Sequence, residues 1–348
     1  MFKNVLFINE KNKNKKKLNS DYLESVDSKE ISLVLASNPM LLMKYWIKFQ
    51  QEWVSNIYKQ FKDHDKYIIL IYLISKTWQS SSSLFKFYSK DEYYSQSEIK
   101  IPDISLSEMS ADLKMPKETI RRKLIELDKL NIIKREGQKI VLAKLALSLQ
   151  KPETSIKSIS VFLEKLSILL SAQDWFGSAI SREAVELYFK KYYTVFWNHF
   201  FKLQIPFLTR WKIVFGDIET WVIWANMGIN QTLNLEKISK DPDLKIDLLG
   251  GKGESLYLRN VQVNEPNKGI NAASIAEISG IPRATVMRKL KVLLKEKVVK
   301  RNKKLEYLLT NQGKLNRKIE ANFLVNQKYI SIFVTDIFNL IKRSPLKI

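Results

Sequence analysis

The sequence predicts a mainly α-helical protein built from one unit written twice, each copy carrying long flanking helices, a short helix pair and a small β-hairpin. Three observations lead there. Residues 107–142 align without a gap on residues 273–308, 166 positions later. Apolar residues recur at helical spacing before and after both segments. The length, 348 residues, accommodates two such units.

In the aligned segments Met115-Pro116 meets Ile281-Pro282, Thr119 meets Thr285, and Arg122-Lys123-Leu124 meets Arg288-Lys289-Leu290. Ile132-Ile133-Lys134-Arg135 meets Val298-Val299-Lys300-Arg301. A shared period of this size marks an internal duplication.

The long helices come first in each unit. Tyr45, Phe49, Trp53, Phe61, Asp65, Ile69 and Tyr72 fall on Trp197, Phe201, Ile205, Ile213, Asp217, Trp221 and Trp224 at an offset of 152. The spacing is mostly four residues, so the aromatics share one helical face, which is how a core is patterned. The alternative is a base-stacking platform for single strands, which would interleave aromatics with Lys and Arg on an open face. The change of offset from 152 to 166 implies a 14-residue insertion in the second unit. It is placed in residues 230–267, where DPD and GGKG read as loop. Apolar-periodic stretches at 155–170 and 327–340 read as an exit helix for each unit, with the junction near 171–181.

Between these helices lies the repeated segment. Ser105 and Glu108 have the spacing of a capping box opening a helix of about two turns. A turn with Lys114 and Met115 follows, and Pro116 suits the first position of the next helix. Ile120, Leu124 and Leu127 make one apolar stripe there, while Glu118, Arg121, Arg122, Ile125 and Lys129 turn away. After Asn131, residues 132–135, Glu136-Gly137-Gln138 and 139–142 read as strand, tight turn and strand. The resulting domain assignment is a basic tail at 1–20, read as disordered, and units at 21–172 and 173–348. The helix pairs and hairpins span about 105–142 and 271–309.

Composition narrows the function. Lys plus Arg number 58 against 36 Asp plus Glu, a formal net charge of +22, which favours polyanionic partners. Nine cations and six anions lie in 105–139, a net +3; eleven and two lie in 267–304, a net +9. Six of the eleven arginines fall in these two segments. There is no cysteine, so no disulfide, thiolate nucleophile or cysteine metal site. The two histidines, His64 and His199, have no identifiable catalytic partner, and no carboxylate cluster or metal spacing stands out. The reading is therefore no enzyme, no cofactor and no metal. Gly250-Gly251-Lys252-Gly253-Glu254-Ser255 lacks P-loop spacing, and Asp241-Pro-Asp243 reads as a turn. Lys11–Lys17 (KNKNKKK) fits either nonspecific phosphate contacts or simple solubility. The most apolar run, Tyr67–Ile74, is far shorter than the ~20 residues of a membrane span, and no secretory signal is read. The expected location is the cytoplasm, associated with the nucleoid.

Helix, turn, helix and basic hairpin together resemble the winged helix-turn-helix transcription regulators. The motifs are Thr119-Ile-Arg-Arg-Lys-Leu with Asn131-Ile-Ile-Lys-Arg, and Thr285-Val-Met-Arg-Lys-Leu with Val298-Val-Lys-Arg. The flanking helices give each half a MarR-like layout, whose outer helices usually dimerise. The resemblance implies base and phosphate contacts from Lys117, Thr119, Arg121 and Arg122, and from Arg283, Thr285 and Arg288. It implies wing contacts from Lys134, Arg135 and Lys139, and from Lys300, Arg301, Lys303 and Lys304. The family usually has Gly before the first wing strand, where this chain has Asn131 and Lys297. Lysine enters the left-handed region reluctantly, so the second turn is expected to differ in detail.

The function expected from the resemblance is sequence-specific binding of double-stranded DNA by a transcription regulator. With two reading heads in one chain, a monomer serves as a pseudo-dimer, and homodimerisation is permitted but not required. A small-molecule effector is left open. The alternatives are a replication-initiator-like protein with tandem winged helices and a winged-helix scaffold that contacts protein.

Overall fold

The computed structural model describes residues 25–38, 41–83, 86–136, 139–148, 152–173, 177–239, 269–310 and 312–344. The expectations for the tail at 1–20, for Asp241-Pro-Asp243 and for Gly250–Ser255 lie outside the described residues. Among the described residues the protein is mainly α-helical, with two small antiparallel sheets.

The first half opens with α1 (Ser28–Ser37), held by a complete capping box between Asp27 and Glu30. A π-helical stretch (Leu42–Ile47) runs into α2 (Lys48–Phe61), then α3 (His64–Ser83) and α4 (Lys90–Ser95) follow. Strand β1 (Glu98–Lys100), α5 (Leu106–Leu113), α6 (Lys117–Lys129), β2 (Ile133–Glu136) and β3 (Lys139–Ala143) form a compact group. Short α7 (Lys144–Ser148) and long α8 (Pro152–Ser171) close the half.

The second half repeats the order with α9 (Arg182–Lys191), α10 (Tyr193–Phe215) and α11 (Ile218–Ser239). Then come α12 (Ala272–Ser279), α13 (Arg283–Lys295), β4 (Val299–Arg301), β5 (Tyr307–Leu309) and α14 (Leu315–Arg343). Helix α11 reaches into the segment expected to be a looped insertion, and the exit helices α8 and α14 both begin earlier than the apolar pattern indicated.

Caps correct the register of the repeat. Asp27 caps α1 and Ser181 caps α9, 154 residues later. Asp63 accepts from the backbone of Asp65 and Lys66 at the start of α3, and Asp217 accepts from Thr220 at the start of α11, again 154 apart. The offset of 152 read from aromatics is therefore two residues short, and the insertion is twelve residues rather than fourteen. Aromatic-rich helices match one another at several slips, whereas a helix start has one place.

The aromatic stripes are core. Trp46, Trp197, Trp211, Trp221 and Trp224 are all at most 2% exposed. Trp211 stacks on Trp221 at 6.1 Å between ring centroids and meets Phe323 of α14 edge-on at 5.3 Å. Such pairs add to the burial of large apolar areas. The halves interlock: α1 packs on α14 and α8 packs on α9, so the first helix of each half lies on the last helix of the other. Asn339 of α14 bonds both backbone groups of Val26, Gln327 donates to the Ser32 carbonyl, and Glu164 of α8 accepts from the Arg182 amide. Across the middle, α10 packs on α3 and α11 on α2. Among the described residues no helix is long and apolar enough to cross a membrane.

Candidate nucleic-acid interface

Each short helix pair is fixed by the same physical devices. Ser105 caps α5 and Asn271 caps α12 through bonds to the third backbone N–H. Glu108 does not complete the expected capping box; its carboxylate turns to Lys76 of α3 at 2.7 Å. An ion pair to a neighbouring helix has replaced a local bond. Lys114 and Gly280 end these helices in the left-handed region, at φ 53° and 72°. Pro116 and Pro282 take the N-cap position, one residue before the place expected for them, with φ −58° and −53°.

In α6 the residues Ile120, Leu124 and Leu127 are buried; in α13 the matching Val286, Leu290 and Leu293 are buried. That burial points Lys117, Arg121 and Arg122, and Arg283 and Arg288, into solvent, with Thr119 and Thr285 half-buried at the edge. The two outward faces differ in their partners. Glu118 grips the Arg121 guanidinium at two points, 3.0 and 3.1 Å, and Arg122 lies 3.9 Å from Glu126. Ala284 stands where the first half has Glu118, and among the described residues Arg283 and Arg288 have no carboxylate partner. The first outward face thus carries its own counterions, and the arginines of the second have none among the described residues.

The hairpins sit beside these helices. In the first half, β3 pairs antiparallel with both β2 and β1. Strand β1 carries no turn signal and was not anticipated. In the second half β4 pairs with β5, and Ile270 takes the place of β1 through a two-way backbone bond with Tyr307, 3.1 and 2.9 Å. Lys134, Arg135 and Lys139 are exposed along the first hairpin, and Lys300, Arg301, Lys303 and Lys304 along the second. The Arg301 guanidinium lies 5.5 Å from the centre of the Tyr307 ring. The turn before β5 is closed by Asn302 and Glu306, which exchange side-chain and backbone bonds. Gly137 and Gln138 lie outside the described residues.

Asn131 and Lys297, just before the hairpins, both have φ 54°. The expectation that the second turn would differ is overturned. Backbone bonds from residues 131 and 297 to the carbonyls of Asp128 and Leu294, and from Ile132 and Val298 to Leu127 and Leu293, hold lysine in the conformation asparagine takes.

Two cations missed by the sequence reading turn inward. Lys123 of α6 pairs with Asp63 at 2.6 Å and with Glu126 at 3.1 Å. Lys289 of α13 pairs with Asp217. Burial alone would push both carboxyls up, but the lysine bonds and the backbone donors hold Asp63 and Asp217 below the usual carboxylate range. Burial likewise opposes the charge on Lys123, and its bonds to Asp63 and Glu126 raise it nonetheless.

The histidines sit where helices meet. His64 stacks on Tyr58 and lies 3.3 Å from Glu219 of α11, and His199 meets Asp336 of α14 at 2.9 Å. Among the described residues no cluster of three or more His, Asp or Glu side chains is placed to hold a metal ion. Comparison with known proteins gives no match among family models, curated proteins or solved structures.

Proposed function

We propose that the two helix–hairpin groups are tandem winged helix-turn-helix units, divided as 21–172 and 173–348, and that the chain binds double-stranded DNA sequence-specifically as a transcription regulator. The observation that carries this reading is the outward face of α13. Arg283 and Arg288 project, with no carboxylate partner among the described residues, from a helix whose other side is pinned by Val286, Leu290 and Lys289. A helix so presented fits a major groove, where Arg pairs bidentately with guanine. The exposed cations of the adjoining hairpin suit the phosphate backbone.

Interlocked halves support a monomer acting as a pseudo-dimer. Half-sites one turn apart, ~34–36 Å, are the geometric expectation. The facing residues differ, Lys117-Glu118-Thr119-Ile120-Arg121-Arg122 against Arg283-Ala284-Thr285-Val286-Met287-Arg288, so the site is expected to be an imperfect palindrome. The test is selection of bound fragments from random double-stranded DNA at two salt concentrations. Enrichment of a two-part motif, weakening steeply with salt, is the expected result. No enrichment at either salt would sink the reading.

A further inference from the structure

The two helix starts that hold the recognition-helix candidates are joined to each other by a histidine. His64 opens α3, next to Asp63, and Glu219 lies in the first turn of α11, close after Asp217. The His64 side chain is 4% exposed and is held on three sides. Its ring stacks on Tyr58 of α2 at 5.2 Å, Nε2 lies 3.3 Å from the Val54 carbonyl oxygen, and Nδ1 lies 3.3 Å from Oε1 of Glu219. Among the described residues Nδ1 has no partner other than that carboxylate. A carbonyl oxygen and a carboxylate only accept, so the ring satisfies both neighbours with a proton on each nitrogen, as the imidazolium. A neutral ring turns a lone pair on one of the two oxygens. Holding the proton on Glu219 instead is costlier, since a carboxylate takes up a proton less readily than an imidazole.

The duplication explains why the bridge runs one way. At the offset of 154, Asp65 matches Glu219, Tyr58 matches Lys212 and His64 matches Ile218. Asp65 is paired by Lys212 of α10 at 2.7 Å. In the corresponding place Glu219 has Tyr58, which brings no cation, and His64 supplies it from the other half. Burial and the charges of Glu219 and Asp63 push the Tyr58 phenol up, so it stays neutral, and Lys62 lies against its ring at 5.8 Å. The other charges around the ring are paired: Asp63 with Lys123, Lys66 with Glu126, and Asp217 with Lys289. A line of ion pairs thus runs from α6 through Asp63, His64, Glu219 and Asp217 to α13.

We infer that His64 is a positioning residue: its protonated ring straps the start of α3 to the start of α11 and so fixes the second recognition helix relative to the first. Histidine titrates between about pH 5 and 8, so the strap holds at the low end of that range and releases as pH rises through it. The neutral ring then repels the Glu219 carboxylate, and the start of α11 shifts, carrying Asp217 and α13 with it. The consequence for half-site spacing on DNA rests on the function proposed above; the strap does not.

The test uses the full chain, which has no cysteine of its own, with spin labels on Lys129→Cys and Lys295→Cys, exposed positions in the last turns of α6 and α13. The distance between labels is read by double electron–electron resonance. It is expected to be narrowly distributed at about pH 5.5 and to shift or broaden by about 1–2 Å at about pH 8.5, the scale of helix shifts at interfaces. Glu219→Gln puts an amide donor opposite Nδ1, which satisfies a neutral ring, so its distance is expected to stay narrow at both pH values. His64→Leu is expected to be broad at both. His199→Gln, which removes the other histidine, is expected to respond as the parent does. On DNA, changing the spacer of the selected site by one base pair is expected to weaken binding about fivefold or more at the lower pH and less than about twofold at the higher. A distance indifferent to pH, or equally responsive in Glu219→Gln, overturns the strap. Loss of the response in His199→Gln overturns its assignment to His64. A responsive distance in a chain with no spacer preference at either pH overturns the pseudo-dimer reading of DNA binding instead.

Discussion

Lys289 lies on the inner side of α13, and its ammonium meets the carboxylate of Asp217, the residue that caps α11. Lys123 of α6 meets Asp63 at the start of α3 in the same way. Each recognition-helix candidate is thereby fastened to the helix start behind it, α13 through Lys289 and α6 through Lys123 together with the Lys66–Glu126 pair, while its arginines remain on the outside. The cation adjoining Arg122 or Arg288 in sequence does a different job from its neighbour, because a step of one residue turns a helix by about 100°.

Removing the fastening carboxylate is expected to cost stability. Asp217→Ala deletes a cap as well as the partner of a largely buried lysine, so roughly 1–3 kcal/mol is expected. Asp63→Ala is expected to cost less, because Glu126 still pairs Lys123. Chemical denaturation midpoints measure both. A cycle with Lys289→Ala is expected to show that the two changes in the Asp217 pair are not additive. Additive losses would mean the bond contributes nothing.

The same pairs set an acid limit. Asp63 and Asp217 are held below their ordinary range by the lysines and backbone donors that overcome burial. A carboxyl lowered in the folded state contributes stability that is present above its unfolded pKa of about 3.9 and is lost as pH falls through the lower folded value. The urea midpoint is therefore expected to change little on this account between about pH 8 and 5, then fall below about pH 4. In Asp217→Asn the acid decline is expected to be shallower. An identical decline in the two chains would assign the acid lability elsewhere.

The two outward faces are expected to contribute unequally to DNA affinity. Arg288→Ala removes an arginine that has no carboxylate partner among the described residues, and the loss expected for a base-reading contact is roughly 1–3 kcal/mol. Arg121 must first release Glu118, so Arg121→Ala is expected to matter less. The complementary substitution tests the cause. Glu118→Ala frees Arg121 and is expected to tighten binding, measured by fluorescence anisotropy on the selected site. Weaker binding in Glu118→Ala would show that the carboxylate is not a competitor for the guanidinium.

Much of this arrangement was legible in the sequence, for identifiable reasons. The helix pairs and hairpins are local structures, specified by caps, a proline and apolar stripes at short spacing, and the Glu118–Arg121 spacing is visible as a three-residue step. Strand β1 was not legible, because Glu98–Lys100 is three residues long and exists by pairing with Leu142 and its neighbours. The fastening of Lys123 and Lys289 was not legible either, since their partners lie 60 and 72 residues away. Lys297 misled for the opposite reason. Its side chain disfavours the left-handed region, but the backbone bonds of the turn outweigh that preference.

The hairpin tip of the second half allows the electrostatic part of the reading to be counted. Lys303 and Lys304 are exposed at the end of a turn held by Asn302 and Glu306, which is closed without either lysine. Lys303→Ala with Lys304→Ala is thus expected to leave the melting temperature nearly unchanged. If both lysines neutralise phosphates, the slope of log affinity against log salt is expected to become shallower by about 1.8, at about 0.9 for each phosphate no longer neutralised. The preferred sequence is expected to stay the same, because phosphate contacts position the protein without reading bases. A changed motif with an unchanged salt slope would place this hairpin in a groove rather than along the backbone.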